Sequence, residues 1–260
     1  MNIIVCIKQV PETTEVRIDP KTNTLIREGV KSIINPFDMY AIEEGLRIKE
    51  KTGGKVTVIT MGPPQAREAL KQAIAMGADD AVLLSDRAFA GSDTWATSYT
   101  LSRGISKIGE FDLIICGKQA TDGDTAQVGP GIAEHLNIPC AAFVKKIEKT
   151  ESGRLIVESM REEGFDVLEL PTPCIITVVK EINEPRLPSL KGMMLAKKKE
   201  IKVWGKTELE LNESYLGLNG SPTQVVKIFT PPQKEGGIIL EGSPEEVTEK
   251  LFSFIEGEIS

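Results

Sequence analysis

Phe111-Asp112-Leu113-Ile114-Ile115-Cys116-Gly117-Lys118-Gln119-Ala120-Thr121-Asp122-Gly123-Asp124-Thr125-Ala126-Gln127-Val128-Gly129-Pro130-Gly131 is the stretch that decides the fold. An apolar run, 111–116, empties into a Gly-rich polar loop, after which Val128, Ile132, Ala133 and Leu136 recur at helical spacing. A buried parallel strand leading through such a loop into a helix presents free backbone N–H groups to a ligand, the arrangement that holds phosphates. The carboxylates of Asp122 and Asp124 would repel a phosphate they faced. The donors are therefore read as backbone amides, Thr125 and Gln127, leaving the aspartates for helix capping or ribose hydroxyls. An ordinary joint, in which Gly and Asp only turn the chain, is the plainer alternative. The length of the loop and its density of donors favour a ligand site.

The preceding residues alternate in the same way. Apolar strands are expected at 2–7, 56–60 and 81–84, and helices at 37–51 (Met39, Ile42, Leu46 and Ile48 at helical spacing), 65–76 and 92–108, the last capped by Ser92 or Asp93. Short apolar strands alternating with helices imply an α/β, doubly wound, mostly parallel sheet. Segments 16–19 and 24–27 flank Pro20-Lys21-Thr22-Asn23 and read as a small hairpin. A β-meander is expected over 143–150, 154–161 and 165–170, and Pro171-Thr172-Pro173 then leads to an apolar strand at 174–179.

After Lys180 the βα period fades into Pro185, Pro188, Met193-Met194 and Lys197-Lys198-Lys199, which reads as an extended C-terminal arm. A terminal helix follows, capped by Ser243 with Pro244 in first position and carrying Val247, Leu251, Phe252 and Ile255. The expected division is a nucleotide-binding domain at 1–183 and an arm with terminal helix at 184–260. An arm unable to bury its apolar residues implies a protein partner.

Composition narrows the function. With 38 acidic against 31 basic residues and a formal charge of −7, a nucleic-acid surface is not expected. No apolar run approaches the roughly 20 residues needed to span a bilayer, and Met1-Asn2-Ile3-Ile4-Val5-Cys6 lacks the charged region of a leader, so no membrane insertion and a cytoplasmic location are expected. Cys6, Cys116, Cys140 and Cys174 are far apart, and three adjoin Ile/Val-rich runs, so they read as small hydrophobes rather than metal ligands or disulfides. His135, the single histidine, has no ligand spacing and reads as solvated or capping.

Ligands of open parallel sheets bind beyond the carboxyl ends of strands. The segments falling there are Cys6-Ile7-Lys8-Gln9-Val10-Pro11, Asn35-Pro36-Phe37-Asp38, Thr60-Met61-Gly62-Pro63 and the 117–131 loop. Neither a G-x-G-x-x-G after the first strand nor a Walker-type Gly-Lys-Ser/Thr is present to explain the site.

The chain resembles the β subunit of the electron-transfer flavoproteins. The resemblance rests on Lys8-Gln9-Val10, Asn35-Pro36-Phe37, Ala75-Met76-Gly77-Ala78-Asp79, Gly117-Lys118-Gln119-Ala120, Asn183-Glu184-Pro185-Arg186 and Ala196-Lys197-Lys198-Lys199. It covers essentially the whole chain and implies a Rossmann-like adenine-nucleotide-binding domain that pairs with an α subunit and wraps its C-terminal arm around it. In simple carriers of this family the β site holds AMP as a structural ligand. In the electron-bifurcating branch it holds a second FAD that takes hydride from NADH. Lys8-Gln9-Val10-Pro11, Asp38 in place of a cysteine after Asn35-Pro36-Phe37, and the loop 121–129 look more like the FAD-binding branch.

By position, the resemblance implies that the AMP part of the nucleotide touches Cys6, Asn35, Phe37, Asp38, Met61 and Gly62. It implies contacts also with Gly117, Lys118, Gln119, Asp122, Gly123, Thr125, Gln127, Val128 and Gly129. The flavin end would extend toward Lys8 and Pro11. No catalytic acid or base and no metal are implied, because hydride and single-electron chemistry belongs to the flavin. Implied partners are the α subunit, an acyl-CoA dehydrogenase- or reductase-type flavoenzyme and, as low-potential acceptor, a ferredoxin or flavodoxin. Leu190 matches the position where simple carriers present a leucine to the dehydrogenase, with Met193 and Met194 as adaptable neighbours. Packing of these three on the α subunit is the other reading. A universal-stress-type ATP-binding module would leave the meander and arm unexplained. An ATP-pyrophosphatase would need Ser-Gly-Gly-x-Asp-Ser where Lys8-Gln9-Val10-Pro11 stands.

Overall fold

A computed structural model describes residues 1–12, 17–18, 25–26, 32–151, 153–226 and 236–259. The chain begins with β1 (Asn2–Cys6), β2 (Gln9–Pro11), β3 (Arg17–Ile18), β4 (Leu25–Ile26), β5 (Ser32–Ile34), α1 (Pro36–Thr52), β6 (Lys55–Met61) and α2 (Arg67–Met76). It continues through β7 (Asp80–Leu84), α3 (Thr94–Ile108), β8 (Leu113–Gly117), α4 (Val128–Leu136), β9 (Cys140–Glu151), β10 (Arg154–Arg161), β11 (Gly164–Pro171) and β12 (Cys174–Val178). The last elements are α5 (Leu190–Lys198), β13 (Lys202–Trp204), α6 (Lys206–Leu209) and α7 (Pro244–Ile259).

One nine-stranded sheet runs β11-β10-β9-β12-β8-β1-β6-β7-β13. From β9 to β13 every pairing is parallel, and β9, β10 and β11 form the antiparallel meander. Because side chains alternate across a strand, Ile3, Val5 and Ile7 pack against α1 and α2, while Ile4 and Cys6 face α3 and α4. Burial on both faces explains why these strands read as unbroken apolar runs. Among the described residues, no helix is long and apolar enough to cross a membrane.

The expected α/β, mostly parallel sheet is present, and the elements expected up to residue 179 fall where the periodicity puts them. Helix α2 starts later than residue 65 because Pro63 and Pro64 lead into a 3-10 turn, Pro64–Ala66. Asp93, not Ser92, caps α3, accepting from the Ala96 N–H at 3.1 Å. The hairpin appears as the antiparallel pair β3–β4, and its turn lies outside the described residues.

The first compact unit extends to Val226, not to 183, and residues 227–260 form a second. Strand β13 joins the sheet beside β7, α5 packs on α2, and Ala196, Ile201, Leu209 and Leu216 are buried in the two core layers. Asn183-Glu184-Pro185-Arg186 is fastened to α1. Arg186 reaches Glu43 at 2.8 Å and Glu50 at 2.5 Å, Arg47 joins the same Glu43 at 2.6 Å, and the Asn183 amide donates to Glu44. Burial pushes the Glu43 carboxyl up, but Arg186 and Arg47 outweigh it and hold the group below its ordinary range. Within the second unit α7 is the expected terminal helix, with Ser243 and Glu246 capping each other reciprocally.

Candidate nucleotide site

Strand order creates the crevice. The chain leaves β1 for β6 and β7 on one side and returns to β8 on the other, so the carboxyl ends of β1 and β8 diverge into connections on opposite faces. Cys6 and Cys116 are register partners there, and both are buried on the α3–α4 face. The Cys6 thiol beside it, reinforced by burial, pushes the Cys116 thiol well up, so it stays protonated.

Asn35 ties the surrounding loops together. It is only 1% exposed; its side-chain N–H donates to the Gln119 carbonyl at 2.8 Å and its side-chain oxygen accepts from the Thr121 N–H at 3.1 Å. Its backbone N–H donates to the Lys8 carbonyl at 2.9 Å. Pro36 then opens α1 at a position where no helical donor is lost.

Asp38, in the first turn of α1, accepts from the Lys8 backbone N–H at 2.6 Å. Burial pushes its carboxyl up to about 7, against hydrogen bonds from Asn35, Lys8 and Gly117 that favour the charged form. Gly117 is required by close approach: a Cβ there would collide with Asp38 Oδ1 and lie 2.7 Å from the Phe37 carbonyl carbon.

Met61 ends β6 half-buried on the α3–α4 face, and the Gly62 N–H donates to the Leu84 carbonyl at 3.0 Å. The Gln9 amide donates to the Gln65 carbonyl at 3.3 Å, joining the segment after β1 to the one after β6. On the other side the Lys118 N–H donates to the Val178 carbonyl at 2.8 Å, and its ammonium lies 5.4 Å from the Phe143 ring centroid.

The loop beyond is shaped by its own bonds. Ala120 O accepts from the N–H of Asp124 at 2.8 Å, the Gln119 amide donates to the Asp124 carboxylate, and Asp124 and Ala126 take positive φ of 53° and 55°. Asp122, Gly123, Thr125 and Gln127 are exposed. No side chain caps α4, and Pro130 has no N–H, so the Val128 and Gly129 N–H groups at its start are left for a ligand or solvent. Gly129 also seats the helix, since a Cβ would lie 2.5 Å from Thr177 Cγ2. Its side-chain space is thus taken by the sheet. Thr177, on β12, went unnoticed in the sequence; its position at a strand's carboxyl end was the signal available.

The residues expected at the site are therefore gathered by three strand ends and two helix starts. Leu190, Met193 and Met194 are elsewhere, on α5, exposed by 79%, 41% and 65%. Gly192 of that helix meets the backbone of Ala75 near the end of α2, toward the amino ends of the strands. His135, on α4, is partly exposed. It stands edge-on to Trp95 and Tyr99 at 5.3 and 5.6 Å, and burial lowers its pKa. Among the described residues no three His, Cys, Asp or Glu side chains gather to hold a metal ion.

Uncapped amides, the Thr125 hydroxyl and two lysines at these strand and helix ends suit an anionic nucleotide, and the close-packed Gly117 and Gly129 keep side chains from filling the space between β8, α1 and α4. A family model described as the electron transfer flavoprotein domain matches residues 22–209. An electron transfer flavoprotein subunit beta of Thermoanaerobacterium thermosaccharolyticum is 56% identical over 252 residues, 96% of each chain. The caffeyl-CoA reductase-Etf complex subunit CarD of Acetobacterium woodii is 52% identical, covering 97% of both chains. Protein FixA of Azotobacter vinelandii is 46% identical over 97% of this chain and 95% of its own. With the domain spanning most of its length and relatives this similar end to end, the chain belongs to the electron transfer flavoprotein β-subunit family, electron-transfer proteins that pair with an α subunit.

Proposed function

We propose that this chain is the β subunit of an electron-bifurcating flavoprotein whose Rossmann-like crevice binds FAD, with NADH as hydride donor. Electrons would leave by two routes: to a ferredoxin or flavodoxin, and through the FAD of the α subunit to an acyl-CoA dehydrogenase- or reductase-type flavoenzyme. The observation that carries the nucleotide site is the Asn35–Asp38 turn, which fastens the ends of β1 and β8 around a crevice at the point where strand order reverses. Pro11, Asp38 and the 121–129 loop, which look like the FAD-binding branch, favour FAD over AMP.

When bound, the flavin supplies the hydride and single-electron chemistry. The chain's own residues bind and orient. The N–H groups of Val128 and Gly129, with Gly123, Thr125 and Gln127, would take the phosphates and ribose, and Cys6, Asn35, Phe37, Asp38, Met61, Gly62 and Gly117 to Gln119 the adenylate part. Lys8 and Pro11 would stand toward the flavin end. The exposed Leu190, Met193 and Met194 suit the dehydrogenase contact, and a relative named for a caffeyl-CoA reductase complex supports a partner acting on CoA esters. The described cysteines are all free, which fits a reducing cytoplasm.

Flavin and adenine nucleotide should be counted per αβ heterodimer after gentle purification, followed by anaerobic NADH titration. Two flavins bleached per heterodimer is the expected result. One flavin with stoichiometric AMP would remove bifurcation and leave a simple carrier with AMP as structural ligand.

A further inference from the structure

We infer that Lys8 and Asp122 form a displaceable clasp across the crevice mouth, in which Asp122 is the counter-ion that an incoming nucleotide phosphate replaces on Lys8. This rests on the nucleotide reading above and assigns Asp122 a role opposed to the ligand rather than in contact with it. The Lys8 Nζ lies 2.5 Å from Asp122 Oδ1, joining the end of β1 to the β8–α4 loop across 114 residues of sequence. Both side chains reach solvent, at 47% and 34% exposure, so the pair is exchangeable.

The backbone around the pair is fixed. The Lys8 N–H is held by Asp38 and its carbonyl by the Asn35 N–H, while Thr121, next to Asp122, is bonded to the Asn35 side chain. The side chains of the clasp, both open to solvent, can swing while this backbone stays in place. The other cation beside the loop, Lys118, lies over the Phe143 ring, and the second loop carboxylate, Asp124, receives the Gln119 amide. Lys8 is thus the cation whose partner can change with the least rearrangement. Exchanging one anion for another on the same ammonium leaves the number of ion pairs constant. The intact protein should therefore bind an anionic nucleotide with little dependence on salt. Without Asp122, binding gains a new ion pair that salt screens.

The test uses the full-length chain in complex with its α subunit, freed of nucleotide, with FAD as probe and adenosine as uncharged control. Asp122→Asn should tighten FAD binding up to about fivefold at low salt, the range of an exposed ion pair, and the gain should vanish near about 0.5 M salt. Lys8→Met should weaken FAD binding, and Asp122→Asn added to it should change nothing further. Adenosine affinity should be the same in all four proteins. Weaker FAD binding in Asp122→Asn, or an unchanged affinity and salt slope, would overturn the clasp while leaving the nucleotide site standing. Absence of FAD, AMP and adenosine binding from the unaltered protein would overturn the nucleotide reading, and the clasp with it.

Discussion

Asp38 carries an ionisation cost that the rest of the turn only partly offsets. Its carboxyl is raised from 3.8 to about 7, chiefly by burial. Between those values the unfolded chain has released a proton that the folded chain keeps, so stability falls as pH rises from about 4 to 7 and then levels off. The total loss is on the order of 4 kcal/mol. Asp38→Asn, which keeps an acceptor for the Lys8 N–H, should remove that contribution, leaving the fall with pH from Glu44, raised by burial, and the rise toward pH 6.5 from His135, lowered by burial. Denaturant unfolding of both proteins at pH 5, 6, 7 and 8 checks this, and an unchanged slope in the variant would assign the effect elsewhere. The comparison stays above pH 5 because Glu43, held low by its arginines, contributes stability that is lost only as pH falls below its ordinary value of 4.5. Asn35 and Asp38 were legible as site residues from their place before the first helix. Their bonds to Gln119, Thr121 and Lys8 were not, because partners 84, 86 and 30 residues away are brought near only by the sheet.

Helix α4 shows how an element transmits packing to the site. Its first turn carries the free N–H groups, and Gly129 in that turn rests on Thr177 Cγ2. Gly129→Ala gains about 1 kcal/mol of helix propensity but must displace that methyl, an overpacking cost of about 1–3 kcal/mol that falls on the ligand-facing turn. Nucleotide affinity should drop more than melting temperature. Thr177→Ser deletes the methyl yet keeps the hydroxyl that accepts the Phe143 N–H at 3.0 Å, so Gly129→Ala with Thr177→Ser should recover binding. Titration calorimetry on the single and double variants decides, and a double variant that binds no better than Gly129→Ala alone would deny the contact its role. Apolar periodicity located α4 because its buried residues are Ile132 and Ala133 beside Gly129. It missed α5 for the converse reason. That helix buries Gly192 and Ala196, four residues apart, and turns Leu190, Met193, Met194 and Leu195 outward. Strand β13 is three residues of Lys-Val-Trp, too short to alternate visibly, and owes its existence to the open edge of β7.

At the scale of the molecule the expected arm divides into a part that completes the sheet and a part that does not. Through β13, α5 and the Arg186 ion pairs, residues 184–226 belong to the first compact unit, and part of their apolar surface is buried within this chain. Helix α7 lies in the other unit with Leu251, Phe252, Phe254 and Ile255 exposed by 51%, 60%, 48% and 49%. Apolar residues at helical spacing left in water are what an association surface supplies, and association with the α subunit is the proposal they support. A chain ended after Val226 should then retain one cooperative thermal transition, with a melting temperature within about 4 °C of the full chain, because the residues of both core clusters lie within the first unit. The same truncation should weaken co-elution with the α subunit on gel filtration, and in the intact pair amides of α7 should exchange far more slowly than in the isolated chain. Loss of cooperative unfolding on truncation would show that the second unit stabilises the sheet. Undiminished co-elution would move the α-subunit contact off α7 and onto the first unit.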